Sequence, residues 1–316
     1  DRRPGRAEQP RRGRVSQPLQ LALVGEPQDP PSGLTYPVVL RRPGFSGFTA
    51  LFGALLAFIG FALVVPLVSA LVTWVGFLVR GGGDFEAYSA AASAYELPEG
   101  PAAGHLALAA LIPVCIVLVR YVHGVRPRWL ASVQPGVRWR YLALSLLVAA
   151  VILNAVTWAS FWFGEMPVFH GGQDGWVWFL LVVGITSPLQ AAAEEVFFRG
   201  YLLQVIGSAT GRAWAGVVGS ALIFALLHGV QSPALFAHRL AFGLVAGALV
   251  VVTGGLEAGI AAHVVNNVAA YGYAMFTMTV AELRGVTTIS WAEAGWNVAA
   301  FAAFGVAAWW LGRRLR

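Results

Sequence analysis

Three short polar runs interrupt an otherwise apolar sequence, and their residue types are those of acid–base chemistry. They are Ala193-Glu194-Glu195-Val196-Phe197-Phe198-Arg199, Phe224-Ala-Leu-Leu-His228 and His263-Val-Val-Asn266-Asn267. On a helix Glu195 and Arg199 lie four apart with the acid on the N-terminal side, the favourable order for an ion pair. Glu194 then points about 100° away from Glu195. One carboxylate is held by the guanidinium while the other is free to face a cavity as a general base. His228 closes an apolar helix just before Gly229, where a plain capping role would serve equally well. His263 and Asn267 share one helix face, an arrangement that helix-to-helix hydrogen bonding also explains.

Ionisable groups inside a membrane cost several kcal/mol unless paired or hydrated, so a functional site is the default reading. No Ser or Cys nucleophile stands beside this set, which points to water activation. Glu194 and His228 would hold and deprotonate a water that attacks an amide carbonyl. His263 and Asn267 would donate to the developing oxyanion, each donor worth roughly 3–4 kcal/mol in a preorganised site. Alternatively Glu194, His228 and His263 form a zinc ligand set with a fourth position left for water. The spacing lacks the His-Glu-x-x-His signature of zinc peptidases, so the metal-free version stands slightly ahead and zinc stays as the alternative.

The elements that must carry these groups are membrane helices. Of the 316 residues, 58% are hydrophobic and 11% charged, against about 45–50% and 25% in a soluble domain. An ordinary soluble globule is excluded. The 37 Gly and 17 Pro show no three-residue period, which excludes a collagen-like chain. The expected class is an all-α polytopic membrane protein with an intramembrane cavity. Eight apolar stretches are long enough or nearly so: Pro43–Val79, Leu106–Val122, Tyr141–Phe163, Trp176–Leu203, Trp214–His228, Leu240–Val252, Leu256–Phe276 and Trp296–Leu311. With about 1.5 Å of rise per residue, Glu194, His228, His263 and Asn267 fall near one layer of the bilayer. Gly243 and Gly247 form a small-residue packing signal.

All 21 basic residues are Arg, and 18 of them fall in the N-terminal segment, the loops after the second and fourth stretches, and the C-terminus. Acids dominate the opposite loops, including the stretch 81–104. The positive-inside rule then places both termini in the cytoplasm, and the expected location is a bacterial plasma membrane. The net charge of +6 serves orientation, not nucleic-acid binding. Cys115 is the single cysteine, so there is neither an intramolecular disulfide nor a Cys-based metal site. Residues 1–45, rich in Arg and Pro, are expected to be a disordered cytoplasmic tail that binds anionic lipid, an unknown partner, or nothing. Because the first residue is Asp1, a preceding segment is expected.

Glu-Glu-x-x-x-Arg, Phe-x-x-x-His and His-x-x-x-Asn on successive apolar helices resemble the CPBP family. That family groups the Ras-converting CAAX endoproteases with bacterial Abi and bacteriocin self-immunity proteins. The resemblance covers about Trp176 to Phe276, a protease-like core within a helical domain of residues 46–316. It implies an intramembrane endopeptidase whose cavity opens toward the cytoplasm and whose substrate is a membrane-associated peptide or protein. Glu194 and His228 would activate water, His263 and Asn267 would stabilise the oxyanion, and Glu195 and Arg199 would give structural support. It implies no prenylated substrate in particular. Two other classes stand beside it: a non-catalytic peptide-binding, immunity or regulatory protein on the same fold, and an ion-coupled transporter. Pro188, just before Glu194, marks an expected local break.

Overall fold

The computed structural model describes residues 25–315, and these are helical with only two isolated β-bridges, Gln28 to Val125 and Ser132 to Gly255. We number the helices α1 (Gly47–Val79), α2 (Phe85–Ser93), α3 (Glu99–Val122), α4 (Trp139–Phe163), α5 (Trp176–Thr210), α6 (Ala213–Leu226), α7 (Pro233–Thr253), α8 (Glu257–Thr277), α9 (Val280–Gly285) and α10 (Trp291–Arg314). Six of them, α1, α3, α4, α5, α7 and α10, are long and apolar enough to cross a membrane. The other two expected crossings fall short for different reasons. α6 has 14 residues, and α8 has 21 but carries Glu257, His263, Asn266 and Asn267. The all-α polytopic membrane fold stands.

Six helices close a ring. α5 packs on α8, α8 on α4, α4 on α10, α10 on α7, α7 on α6, and α6 returns to the C-terminal part of α5. α3 and α1 pack outside α5, with apolar side chains of α1 such as Leu51, Leu63 and Leu67 left facing outward. Gly243 and Gly247 lie where a Cβ would meet Ala221 and Val217, so these small residues set the close approach of α7 to α6. The chain passes from α5 to α6 at Gly211, whose φ of +71° suits glycine. Pro188 and Pro66 are absorbed without ending their helices.

Most of the described arginines, including Arg41, Arg42, Arg138, Arg212 and Arg313, lie at one end of the bundle. Residues 25–45, expected to be disordered, are packed there, and that expectation is corrected; residues 1–24 lie outside the described residues. Tyr36, Val39 and Leu40 are buried, and the Tyr36 hydroxyl donates to the Leu130 carbonyl. Arg41 donates to Ser208 O and Arg42 to His123 O. Asp29 accepts from Trp129, Arg126 and Arg128, each at 2.7 Å. The composition suggested too little apolar surface to order this segment. Tyr36 packs with Leu203 of α5, Val250 of α7 and Leu256, and Pro37 lies in the short 3-10 turn Tyr36–Val38.

Candidate active site

The site is built on α5 and α8. From Glu195 to Leu202, α5 widens into a π-helical segment, a rare geometry that recurs at functional sites. Glu194 and Glu195 sit at its start, both buried. Glu195 Oε1 accepts from Arg199 Nη1 at 3.0 Å and from His263 Nδ1 at 2.9 Å. Its Oε2 has no hydrogen-bond partner among the described residues, nor do Arg199 Nε and Nη2. The guanidinium lies instead over the rings of Phe224, at 4.2 Å, and Phe242, at 5.0 Å. Gly259 lets α8 approach this pair, because a Cβ there would stand 2.8 Å from Glu195 Oε2.

Glu194 faces the cavity on the other side of the His263 ring. Its Oε1 accepts from Gln190 Nε2 at 2.7 Å, and its Oε2 lies 3.6 Å from His263 Nε2. The Gln190 carbonyl in turn accepts from Asn267 Nδ2 at 3.0 Å, and Asn266 donates to Asn267 at 3.1 Å. The result is one polar chain: Asn266, Asn267, Gln190 and Glu194, then His263, Glu195 and Arg199. His228 stands apart from it at the exposed end of α6. Its Nδ1 is bonded to Phe224 O at 2.7 Å, and since a carbonyl only accepts, the ring must donate there. Nε2 is left unprotonated in the neutral ring.

All four expected catalytic residues line one cavity of about 450 Å³, together with Gln190, Arg239, Glu293 and Asn297. Glu195 and Arg199 lie behind its wall. The lining runs from Glu194 and His263 to Phe161, Val286, Ile289 and Glu293, toward the end of the bundle opposite the arginines. Among the described residues no three His, Cys, Asp or Glu side chains gather in a way that would hold a metal ion. The three residues of the alternative zinc set, Glu194, His228 and His263, line the same cavity but do not stand together as a metal-holding group.

Gln190 and Arg239 were not singled out from the sequence. Gln190 carries a readable signal, since it lies one helical turn before Glu194 on the same face. Arg239 was hidden because charge trimmed the apolar stretch back to Leu240, whereas α7 begins at Pro233 with Ser232 as its cap.

Residues 173–269 match the family model of the Rce1-like type II CAAX prenyl endopeptidases. A curated relative, the uncharacterized protein YyaK of Bacillus subtilis (strain 168), is 27% identical over 166 residues. The aligned part is 49% of this chain and 55% of that protein, so the chain spans about half the length of its relative. No solved structure matches. The three motifs all fall inside the matched residues, and the resemblance to the CPBP family is borne out there. The match supports a CAAX-type intramembrane protease kind of function in an integral membrane protein.

Proposed function

We propose that the protein is an intramembrane endopeptidase that hydrolyses a peptide bond of a membrane-associated substrate with Glu194 as general base. One observation carries this reading: Glu194 is buried in a polar cavity inside the bundle, with Oε1 fixed by Gln190 and Oε2 without a hydrogen-bond donor among the described residues. A water on Oε2, positioned also by His228 Nε2, gives its proton to the carboxylate as its oxygen bonds to the scissile carbonyl carbon. The oxyanion takes hydrogen bonds from His263 and from the second amide hydrogen of Asn267, the first being given to Gln190. With Nδ1 donating to Glu195, Nε2 of His263 donates only when the ring is an imidazolium, flanked here by two carboxylates. The proton on Glu194 passes to the leaving amine as the C–N bond breaks.

No step is routed through a metal. The substrate, the bilayer setting and the cytoplasmic placement of the termini belong to the same proposal. The test compares new protein N-termini in membranes of a deletion strain rescued with wild type or with Glu194→Gln at equal expression. Termini found only with wild type are expected and would name the substrate. Identical termini together with full rescue by Glu194→Gln would replace this reading with a binding or immunity role.

A further inference from the structure

The cavity holds a cation that its chemistry does not use. Arg239, on the second turn of α7, is half-buried and lines the same cavity as Glu194. Its Nη1 donates to Gln231 Oε1 at 2.7 Å, and Gln231 is itself held by donation from Nε2 to Ala225 O at 2.7 Å. That buttress fixes the guanidinium at the turn between α6 and α7. No carboxylate lies within ion-pair distance of Arg239 among the described residues, although Glu194 and Glu293 share its cavity. Arg138 and Arg199, the other arginines set into the ring of helices, each hold a glutamate. A guanidinium inside the bundle with no carboxylate at ion-pair distance is a ligand-contact candidate. Nε and Nη2 have no protein partner among the described residues, and a planar fork of this kind matches a carboxylate.

Resting on the protease reading, we propose that Arg239 is the specificity residue of the cavity and binds a carboxylate of the peptide near the scissile bond. A chain-terminal carboxylate and an Asp or Glu side chain offer the same chemistry. The test uses the full chain in liposomes and three matched fluorogenic peptide sets: free C-terminus, amidated C-terminus, and amidated with one Asp or Asn placed one to four residues after the cut. Wild type is expected to favour one carboxylate-bearing set in kcat/KM by about 10-fold or more. Which set wins identifies the source of the carboxylate. In Arg239→Gln that ratio falls toward one, and Arg239→Lys retains part of it. Equal rates on charged and neutral peptides, or an unchanged ratio in Arg239→Gln, would overturn the proposal. A parallel binding measurement with the Glu194→Gln protein and the same labelled peptides decides the matter if no set is cleaved. Carboxylate-dependent binding lost with Arg239→Gln would keep Arg239 as the recognising residue while the protease reading failed. Binding indifferent to the carboxylate would end both.

Discussion

Two Glu–Arg pairs are set into the ring of helices, Glu257 of α8 with Arg138 at the start of α4 and Glu195 with Arg199 within α5, and they are bonded in opposite ways. At the arginine-rich end, Glu257 is saturated. Its Oε1 accepts from the backbone N and the Nε of Arg138, at 2.9 and 3.0 Å, and its Oε2 accepts from Nη2 at 2.6 Å. Arg138 Nη1 goes to Thr253 O at 2.7 Å. The pair clamps the start of α4 to the junction of α7 and α8. In the cavity wall, Glu195 receives two donors on one oxygen and none on the other, while Arg199 leaves two nitrogens to aromatic faces. A buried group with open valences is costly if it serves stability alone. On the proposed reading the saturated pair is a strut and the open one belongs to the site, where its carboxylate orients the His263 ring.

The largest effect expected from this contrast is on cleavage. Glu195→Gln should lower kcat by about 100-fold or more, the scale of losing a properly oriented acid–base group, and should also destabilise by about 3–5 kcal/mol because Arg199 is left buried without its carboxylate. Glu257→Gln should cost a similar 3–5 kcal/mol yet leave the cleavage rate per folded molecule near that of wild type. Turnover normalised to the folded fraction, with thermal unfolding in the same detergent, separates the two. If Glu257→Gln also lost turnover per folded molecule, the division into strut and site would be wrong.

Smaller in size is the effect of the two glycines that stand beside these pairs. A Cβ on Gly259 would meet Glu195 Oε2 at 2.8 Å, whereas one on Gly255 would meet Arg138 Nη2 and Glu257 Oε2, both at 2.5 Å, and Ala131 O at 2.9 Å. Each Ala substitution should cost about 1–3 kcal/mol, as overpacking does. Only Gly259→Ala should reduce cleavage beyond the loss of folded protein, since only there does the displaced oxygen belong to the carboxylate that holds His263. Equal residual activity in the two variants would show that the Glu195 position has no bearing on the chemistry.

Much of this was legible in the sequence, for a physical reason. Apolar stretches of membrane length locate helices with little ambiguity, and the expected stretches overlap every helix of the ring. The i,i+4 geometry separated Glu194 from Glu195 and paired Glu195 with Arg199 and nothing more. What stayed hidden depends on contacts between distant segments. The joining of His263 to Glu195 and the placement of Gln190 between Asn267 and Glu194 are of this kind. Hydropathy also concealed the first turns of α7 and α10. His238, Arg239 and Glu293 look like loop residues beside an apolar stretch, yet they line the cavity. The N-cap serines, Ser232 and Ser290, were the signal that those helices start earlier. The Arg and Pro content of residues 25–45 outweighed Tyr36, Val39 and Leu40 in the reading of that segment, although three apolar side chains and one aspartate are enough to anchor it.

That aspartate extends the comparison to an exposed pair, where the expected effect is smallest. The Trp129 indole N–H and the Arg128 and Arg126 guanidiniums hold the Asp29 carboxyl below the usual aspartate range. A depressed carboxyl contributes its stabilisation above the unfolded pKa of about 3.9 and loses it as pH falls through the lower folded value. The anchoring of residues 25–31 should therefore be constant from neutral pH down to about 4 and should loosen below that. Salt should weaken it, because exposed pairs are screened. Amide exchange of this segment, compared between wild type and Asp29→Asn across pH, checks the prediction. Asp29→Asn should exchange faster at neutral pH and show no further acid-dependent difference, while cleavage is unaffected. Identical protection in both proteins would mean that Tyr36, Val39 and Leu40 hold the segment alone. In that case the exposed pair would contribute nothing, and only buried carboxylates would divide into struts and sites.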